Sequence, residues 1–392
     1  MLLFVLAVAA FGSLISAVMQ DLAWVIAGRA MQGAAGAIIP LCYGIARERC
    51  EPSRLPFAIS LLAACSSIAS ATGLVLGGLI IDFYDWTMIF KVTTVLGVLP
   101  FLCVLLMVSR DRQWDPDIMR QDLLGGLLFI PAAVFLLLAI DNIGHVALAD
   151  RMTFIYGALA VLSLAVWLWR ELSVPNPLIE VRLLATRAIG FGNALYIALA
   201  LGAFQGGQIM ALFGQQDPAT GAGLGLSATL AGFLLLPANL ITAALYPIVA
   251  KICNNHGPRI TATGGFALII VGFGSLIFWN DSVPVVMVLL ILQSVGLGAV
   301  YVTIPMVIVS ASPPDRVSES TGMMSVIRAT AMAIGAQTVA TLLSTKGGHV
   351  GGGPAVFPNE ADYVTVFVFV IATAIAGLVF TRFLPPRLAI KH

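Results

Sequence analysis

Twelve predominantly apolar stretches, each long enough to cross a lipid bilayer, follow one another with little interruption along the 392 residues of this chain. They run over 2–19, 22–47, 56–82, 86–108, 122–141, 152–170, 188–213, 226–252, 260–280, 283–311, 322–345 and 363–384. A helical crossing of the hydrocarbon takes about 20 such residues, and a helix satisfies its own backbone hydrogen bonds where no water is present to do so. An all-α, polytopic membrane protein with about twelve transmembrane helices is therefore expected. Charge is scarce enough to permit this: 10% of the residues are charged, against about 25% in a soluble domain.

The few charges are unevenly placed. One set of alternate connections carries Arg47, Arg49 and Arg54, then Arg110, Arg112 and Arg120, then Arg170, Arg182 and Arg187, then Lys251, Arg259 and Arg316, and finally Arg382, Arg387 and Lys391. The other set has Arg151 and Lys346. Lysine and arginine accumulate on the cytoplasmic side of membrane proteins, so both termini are expected in the cytoplasm and the chain in the cell's inner, plasma membrane. With a net charge of +1 and no basic stripe outside the spans, no nucleic-acid partner is implied. Residues 1–17 lack the basic leading segment of a secretory signal and read as a first membrane helix. Cys42, Cys50, Cys65, Cys103 and Cys253 show no metal-ligand spacing, so free thiols and no metal are expected.

Polar residues inside spans are the candidates for function. Arg29 sits about 10 Å from the outer end of the second span, at 1.5 Å per residue. A central arginine costs about 2.5 to 3.5 kcal/mol on insertion scales, so it is expected to face a wet cavity or a partner. Gln32 and Gly33 share its helix face. Arg328 in the eleventh span is placed a turn or two from the cytoplasmic Arg316 connection, where anchoring competes with substrate contact. Asn193, Gln205, Gln208, Asn239, Gln293, Tyr301 and Gln337 complete the candidate lining of a central path, some of them serving only to tie helices together. Asp21, Asp82, Asp85, Asp141 and Glu171 all fall at span ends, which leaves no carboxylate at mid-membrane for a proton relay. Gly33, Gly36, Gly73, Gly77 and Gly78 form small-residue faces of the kind that pack helices closely in lipid.

Enzyme chemistry finds no support in the pattern. His145, His256, His349 and His392 lie in connections or the tail without HExxH spacing, and the sequence has no GxSxG nucleophile and no facing pair of acids. The glycine-rich residues 347–354 lack the Lys-Ser/Thr of a phosphate loop, so they read as a flexible connection, and no cofactor is implied. A weak internal echo sets Gly36, Arg54 and Gly73 at the same intervals as Gly298, Arg316 and Gly335, as a parallel repeat would.

Gly28-Arg29-x-x-Gln32-Gly33 resembles the arginine motif of the major facilitator superfamily, and Gly73 to Gly78 followed by Trp86 and Phe90 resembles its antiporter motif with trailing aromatic residues. Further runs are similar to the fourteen-helix drug:proton antiporter branch: Glu171, Pro177-Leu178-Ile179-Glu180, Arg182-Leu183-Leu184, Gly225-Leu226-Ser227 to Gly232-Phe233-x-x-x-Pro237, and the turn Gly257-Pro258-Arg259. In that branch the arginine motif lies on the fourth helix. Here it lies on the second, so the resemblance implies a chain lacking the first two helices and the acidic and gating motifs they bring. The sequence also departs at Leu74, where the family has proline, at Thr87 in place of arginine, and at Asn254-Asn255 in place of a charged pair.

The resemblance implies a two-bundle architecture. A partial four-span bundle would occupy 1–108, a central linker with two extra spans 109–187, and a six-helix bundle 188–392. The implied function is secondary active, proton-coupled export of hydrophobic or amphipathic small molecules, with the lipid bilayer, the substrate and protons as partners. The alternative is a truncated fragment of such an exporter that does not transport. A receptor or scaffold is the third class, and connections this short hold no sensory domain.

Overall fold

The computed structural model describes residues 1–19, 21–51, 53–107, 123–145, 150–174, 181–313, 316–344, 348–349 and 356–387. Outside them lie the charged connection 109–121 with Arg110, Arg112 and Arg120, the run Pro177 to Glu180, Lys346, and the tail residues Lys391 and His392. Among the described residues, twelve helical units are long and apolar enough to cross a membrane, at the positions the apolar stretches mark.

The first four crossings are α1 (Leu2–Met19), a broken span made of α2 (Leu22–Gln32) and α3 (Ile38–Arg49), α4 (Leu55–Phe83) and α5 (Thr87–Met107). The break between α2 and α3 is a 3-10 turn over Gly33–Ala37, where two glycines weaken the helix and Pro40, lacking an N–H, gives no α bond to the Gly36 carbonyl. α4 runs unbroken for 29 residues. Leu74, unlike a proline, keeps its N–H in the helical ladder. α6 (Leu123–His145) and α7 (Arg151–Ser173) form a hairpin, and the Asp150 carboxylate caps α7 by accepting from the Met152 N–H at 2.9 Å.

The last six crossings begin with α8 (Arg187–Leu201) and α9 (Gly206–Gln215), two halves of one span. They continue through α10 (Ala228–His256), α11 (Pro258–Leu276), α12 (Val283–Ala311), α13 (Val317–Ser344) and α14 (Glu360–Phe380). Ser227 caps α10, and Asn359 with Asp362 forms a reciprocal capping box on α14. The glycine-rich connection before α14 reads in the sequence as a flexible connection. Its described part is a two-residue antiparallel ladder, Gly348–His349 against Val356–Phe357.

Coverage differs sharply between the two groups. In the Arg187–Gln215 crossing 61% of the apolar window is buried, whereas Leu22–Arg47 has 6% and Thr87–Met107 none. Glycines 265 and 296 explain part of this, because each lets the other's backbone carbonyl approach to the distance of a side chain and so brings α11 and α12 together. Two seams join the groups: α4 lies along α10, and α3 lies against α13. The α6–α7 hairpin packs on the second group, α6 along α13.

Candidate functional site

Tyr43 on α3, Tyr196 on α8, Tyr246 on α10, Tyr301 on α12 and Arg328 on α13 lie six to eleven residues from the helix ends on the side where the basic connections collect. At 1.5 Å per residue they share a depth of about 9 to 17 Å. Arg328 therefore stands about three turns inside α13, deeper than the turn or two expected, because α13 starts at once after the Arg316 connection. Its Nη1 donates to the Tyr301 hydroxyl at 3.4 Å, and its guanidinium carbon lies 6.0 Å from the centre of the Tyr196 ring. That second distance is a cation–π contact. The rings brace one another: Tyr301 lies 6.2 Å from Tyr196 and 6.4 Å from Tyr246, with Phe204 edge-on at 5.7 Å. Tyr43, 1% exposed, carries a buried hydroxyl without a hydrogen-bond partner, as does the Arg328 Nε. Among the described residues Arg328 has no carboxylate partner.

A second polar set occupies the first four crossings. Arg29 Nη1 donates to Gln32 Oε1 at 3.0 Å, and Gln32 Nε2 donates to Ser13 Oγ on α1 at 2.8 Å. These groups line a cleft of about 660 Å³ between α1, α2 and α5. The helix-face argument for Arg29 and Gln32 thus matches their geometry, while Ser13 escaped it because a serine hydroxyl, like that of Ser16 beside it, hardly marks an apolar span. No hydrogen bond among the described residues links this set to Arg328.

The other candidates scatter. Asn193 donates to the Ile189 carbonyl of its own helix and Asn239 to that of Leu235. Gln205 bridges the α8–α9 break to α13, donating to the Ala200 and Met332 carbonyls. Gln208 is exposed. Gln293 is buried against Gly272 of α11. Gln337 donates at 2.8 Å to Asp141 of α6, so this acid lies beside an amide of α13 and about four residues inside its helix end.

The packing glycines need a correction. Only Gly78 meets another helix: a methyl group there would lie 2.6 Å from the Ala228 carbonyl oxygen. Methyl groups at Gly33, Gly36, Gly73 and Gly77 would meet nothing within 4 Å. Gly73 and Gly77 instead line a cleft of about 180 Å³ beside α9 and α10. The echo partners Gly298 and Gly335 are packed, against Tyr246 and the Leu201 carbonyl.

Twelve helical crossings in two groups, with polar and charged side chains collected at depth between them, define a multipass membrane protein built to handle a solute inside the bilayer. The chain belongs to the Major Facilitator Superfamily, whose profile matches residues 1–336 and 195–390. It is therefore a membrane transporter, and its family is not one of enzymes. It is 25% identical over 420 residues to the multidrug resistance protein B homolog of Mycobacterium tuberculosis H37Rv, covering 96% of this chain and 76% of that protein. Identity to the lincomycin resistance protein LmrB of Listeria monocytogenes is 22% over 386 residues, covering 95% and 80%. The fold is shared with the crystal structure of the human organic anion transporter MFSD10, with a TM-score of 0.61, 15% identity, and coverage of 97% of this chain and 76% of that one.

Proposed function

We propose that this transporter is a proton-coupled exporter of hydrophobic or amphipathic small molecules, working by alternating access between the bundles 1–108 and 188–392. It resides in the plasma membrane with both termini cytoplasmic. The reading places it in the fourteen-helix drug:proton antiporter branch, and the resistance named for its relatives supports the substrate class. The observation that carries it is the polar layer shared across a seam, with Tyr43 from the first group and Tyr196, Tyr301 and Arg328 from the second. Rocking of one bundle against the other exposes such a layer to either side in turn. Arg29 and Gln32 flank the path in the first bundle, and Asp141, held by Gln337, is the candidate carboxylate for a travelling proton.

A second reading, a fragment that inserts without transporting, is favoured by the bare faces of the first four crossings, where α5 buries none of its apolar window. Nile red efflux from energised cells separates the two. Efflux by residues 1–392 that stops on adding a protonophore supports the exporter. Efflux only from a version carrying two further spans upstream supports the fragment.

A further inference from the structure

We infer that the layer around Arg328 is an anion-binding site, and that its ligands are flat aromatic molecules carrying a carboxylate or a similar acid group. This deepens the exporter reading and rests on it for the statement that the ligand is cargo. The chemistry of the layer is one-sided. The Nε of Arg328 and the hydroxyl of Tyr43 are both buried donors without a partner. The Tyr301 hydroxyl accepts from Arg328 at 3.4 Å, which leaves its own proton to give. Among the described residues no carboxylate pairs with the guanidinium, so the layer offers hydrogen-bond donors and a positive charge with no negative charge of its own. A guanidinium presents its donors in a planar fork that matches a carboxylate, and the Tyr196 ring at 6.0 Å holds that fork in orientation. The rings around these donors supply the second half of the specificity: Phe204 packs edge-on to Tyr301 at 5.7 Å and Tyr246 lies tilted at 6.4 Å, so a flat ring that parts them meets aromatic faces. A cationic ligand meets the wrong sign here. Tyr43 comes from α3 and the other residues from α8, α10, α12 and α13, so a bound anion touches both bundles.

Two dyes with the same ring system and opposite charge test this: fluorescein, an anion at neutral pH, and rhodamine 6G, a cation. Binding to the purified full chain in nanodiscs is read by fluorescence polarisation. Fluorescein should bind saturably, Arg328→Gln should weaken it about tenfold or more, the scale of one lost charge-assisted contact, and Arg328→Lys should recover part of the loss. Tyr43→Phe should weaken it several-fold, and rhodamine 6G should not weaken in any variant. Fluorescein affinity that is unchanged in Arg328→Gln and Tyr43→Phe, or that falls in parallel with rhodamine 6G, overturns the site and leaves Arg328 as a structural cation. Should Arg328→Gln not fold, Arg328→Lys and Tyr43→Phe carry the same comparison. Failure of the exporter reading shows separately, as absent Nile red efflux from the unaltered chain with its fluorescein binding intact.

Discussion

Gly73, Gly77 and Gly78 look alike in the sequence, yet adding one methyl group should have opposite signs at them. At Gly78 the new carbon would lie 2.6 Å from the Ala228 oxygen and 2.8 Å from the Thr229 Cα. Ordinary contact begins at 3.4 Å, so α4 and α10 must part by about 0.8 Å at this point, and backbone atoms have no rotamer by which to yield. Overpacking of this kind costs about 1 to 3 kcal/mol. The same movement stretches the neighbouring bond from the Thr229 N–H to the Asp82 carboxylate, now 2.8 Å, past hydrogen-bond length. At Gly73 and Gly77 the methyl meets nothing, and alanine gains about 0.5 to 1 kcal/mol over glycine in a helix interior. SDS-induced unfolding of the purified variants should therefore show Gly78→Ala destabilised and Gly73→Ala and Gly77→Ala unchanged or stabilised. If the bundles rock, a conformation that keeps this seam closed loses population by about 5- to 150-fold in Gly78→Ala, and efflux should fall with it. Equal stability of Gly78→Ala and the unaltered chain, or equal loss at Gly73, refutes the packing argument.

Gln337→Leu removes the donor to Asp141 and should cost about 1 to 3 kcal/mol in the same unfolding assay, with the α6–α7 hairpin becoming more accessible to protease. The Asn142 side chain, followed by the Met152 N–H, holds the Asp150 carboxyl below the usual carboxylate range. A depressed carboxyl stabilises the fold above its unfolded value and loses that contribution as pH falls through the folded one. Amide exchange at the start of α7 should thus accelerate on acidification below about pH 4, and an Asp150→Ala variant that keeps the acceleration contradicts the assignment. Gly257, with φ of 93° and ψ of 156°, turns the chain from α10 into α11 against the Pro386 carbonyl. That conformation is nearly confined to glycine, so Gly257→Ala should lower stability by about 1 to 3 kcal/mol or more, and an unaltered unfolding midpoint would count against it.

The twelve crossings were legible because the bilayer sets a length and a polarity that any window of sequence reveals. The pairing of Arg29 with Gln32 was equally legible, since three residues on a helix return to the same face. Of the layer, Tyr301 and Arg328 were singled out in the sequence, whereas Tyr43, Tyr196 and Tyr246 were not, because a tyrosine scores as nearly apolar and its hydroxyl makes no mark on a hydropathy profile. What locates Tyr43, Tyr196, Tyr246 and Tyr301 is their shared distance from the basic helix ends, a comparison across spans. Glycine spacing failed for a different reason. It identifies a small face without saying whether a neighbour crosses there, and Gly77 and Gly78 point about 100° apart.

The face that does meet α10 follows from this rotation. Ser67, Ala71, Leu74, Gly78 and Asp82 recur at three- and four-residue steps, one stripe along α4. Ser67 donates to the Asn239 carbonyl, Ala71 is fully buried, the Leu74 carbonyl faces Gly232, Gly78 abuts Ala228 and Asp82 takes the Thr229 N–H. Ser67 also reaches the Tyr246 hydroxyl, so the stripe ends in the layer that holds Arg328. A shift of α4 along α10 therefore pulls on Tyr246, and through the ring contact of Tyr246 with Tyr301 it reaches the hydroxyl that accepts from Arg328. The way α4 is seated on α10 and the way the Arg328 guanidinium is held are thus joined through two aromatic rings.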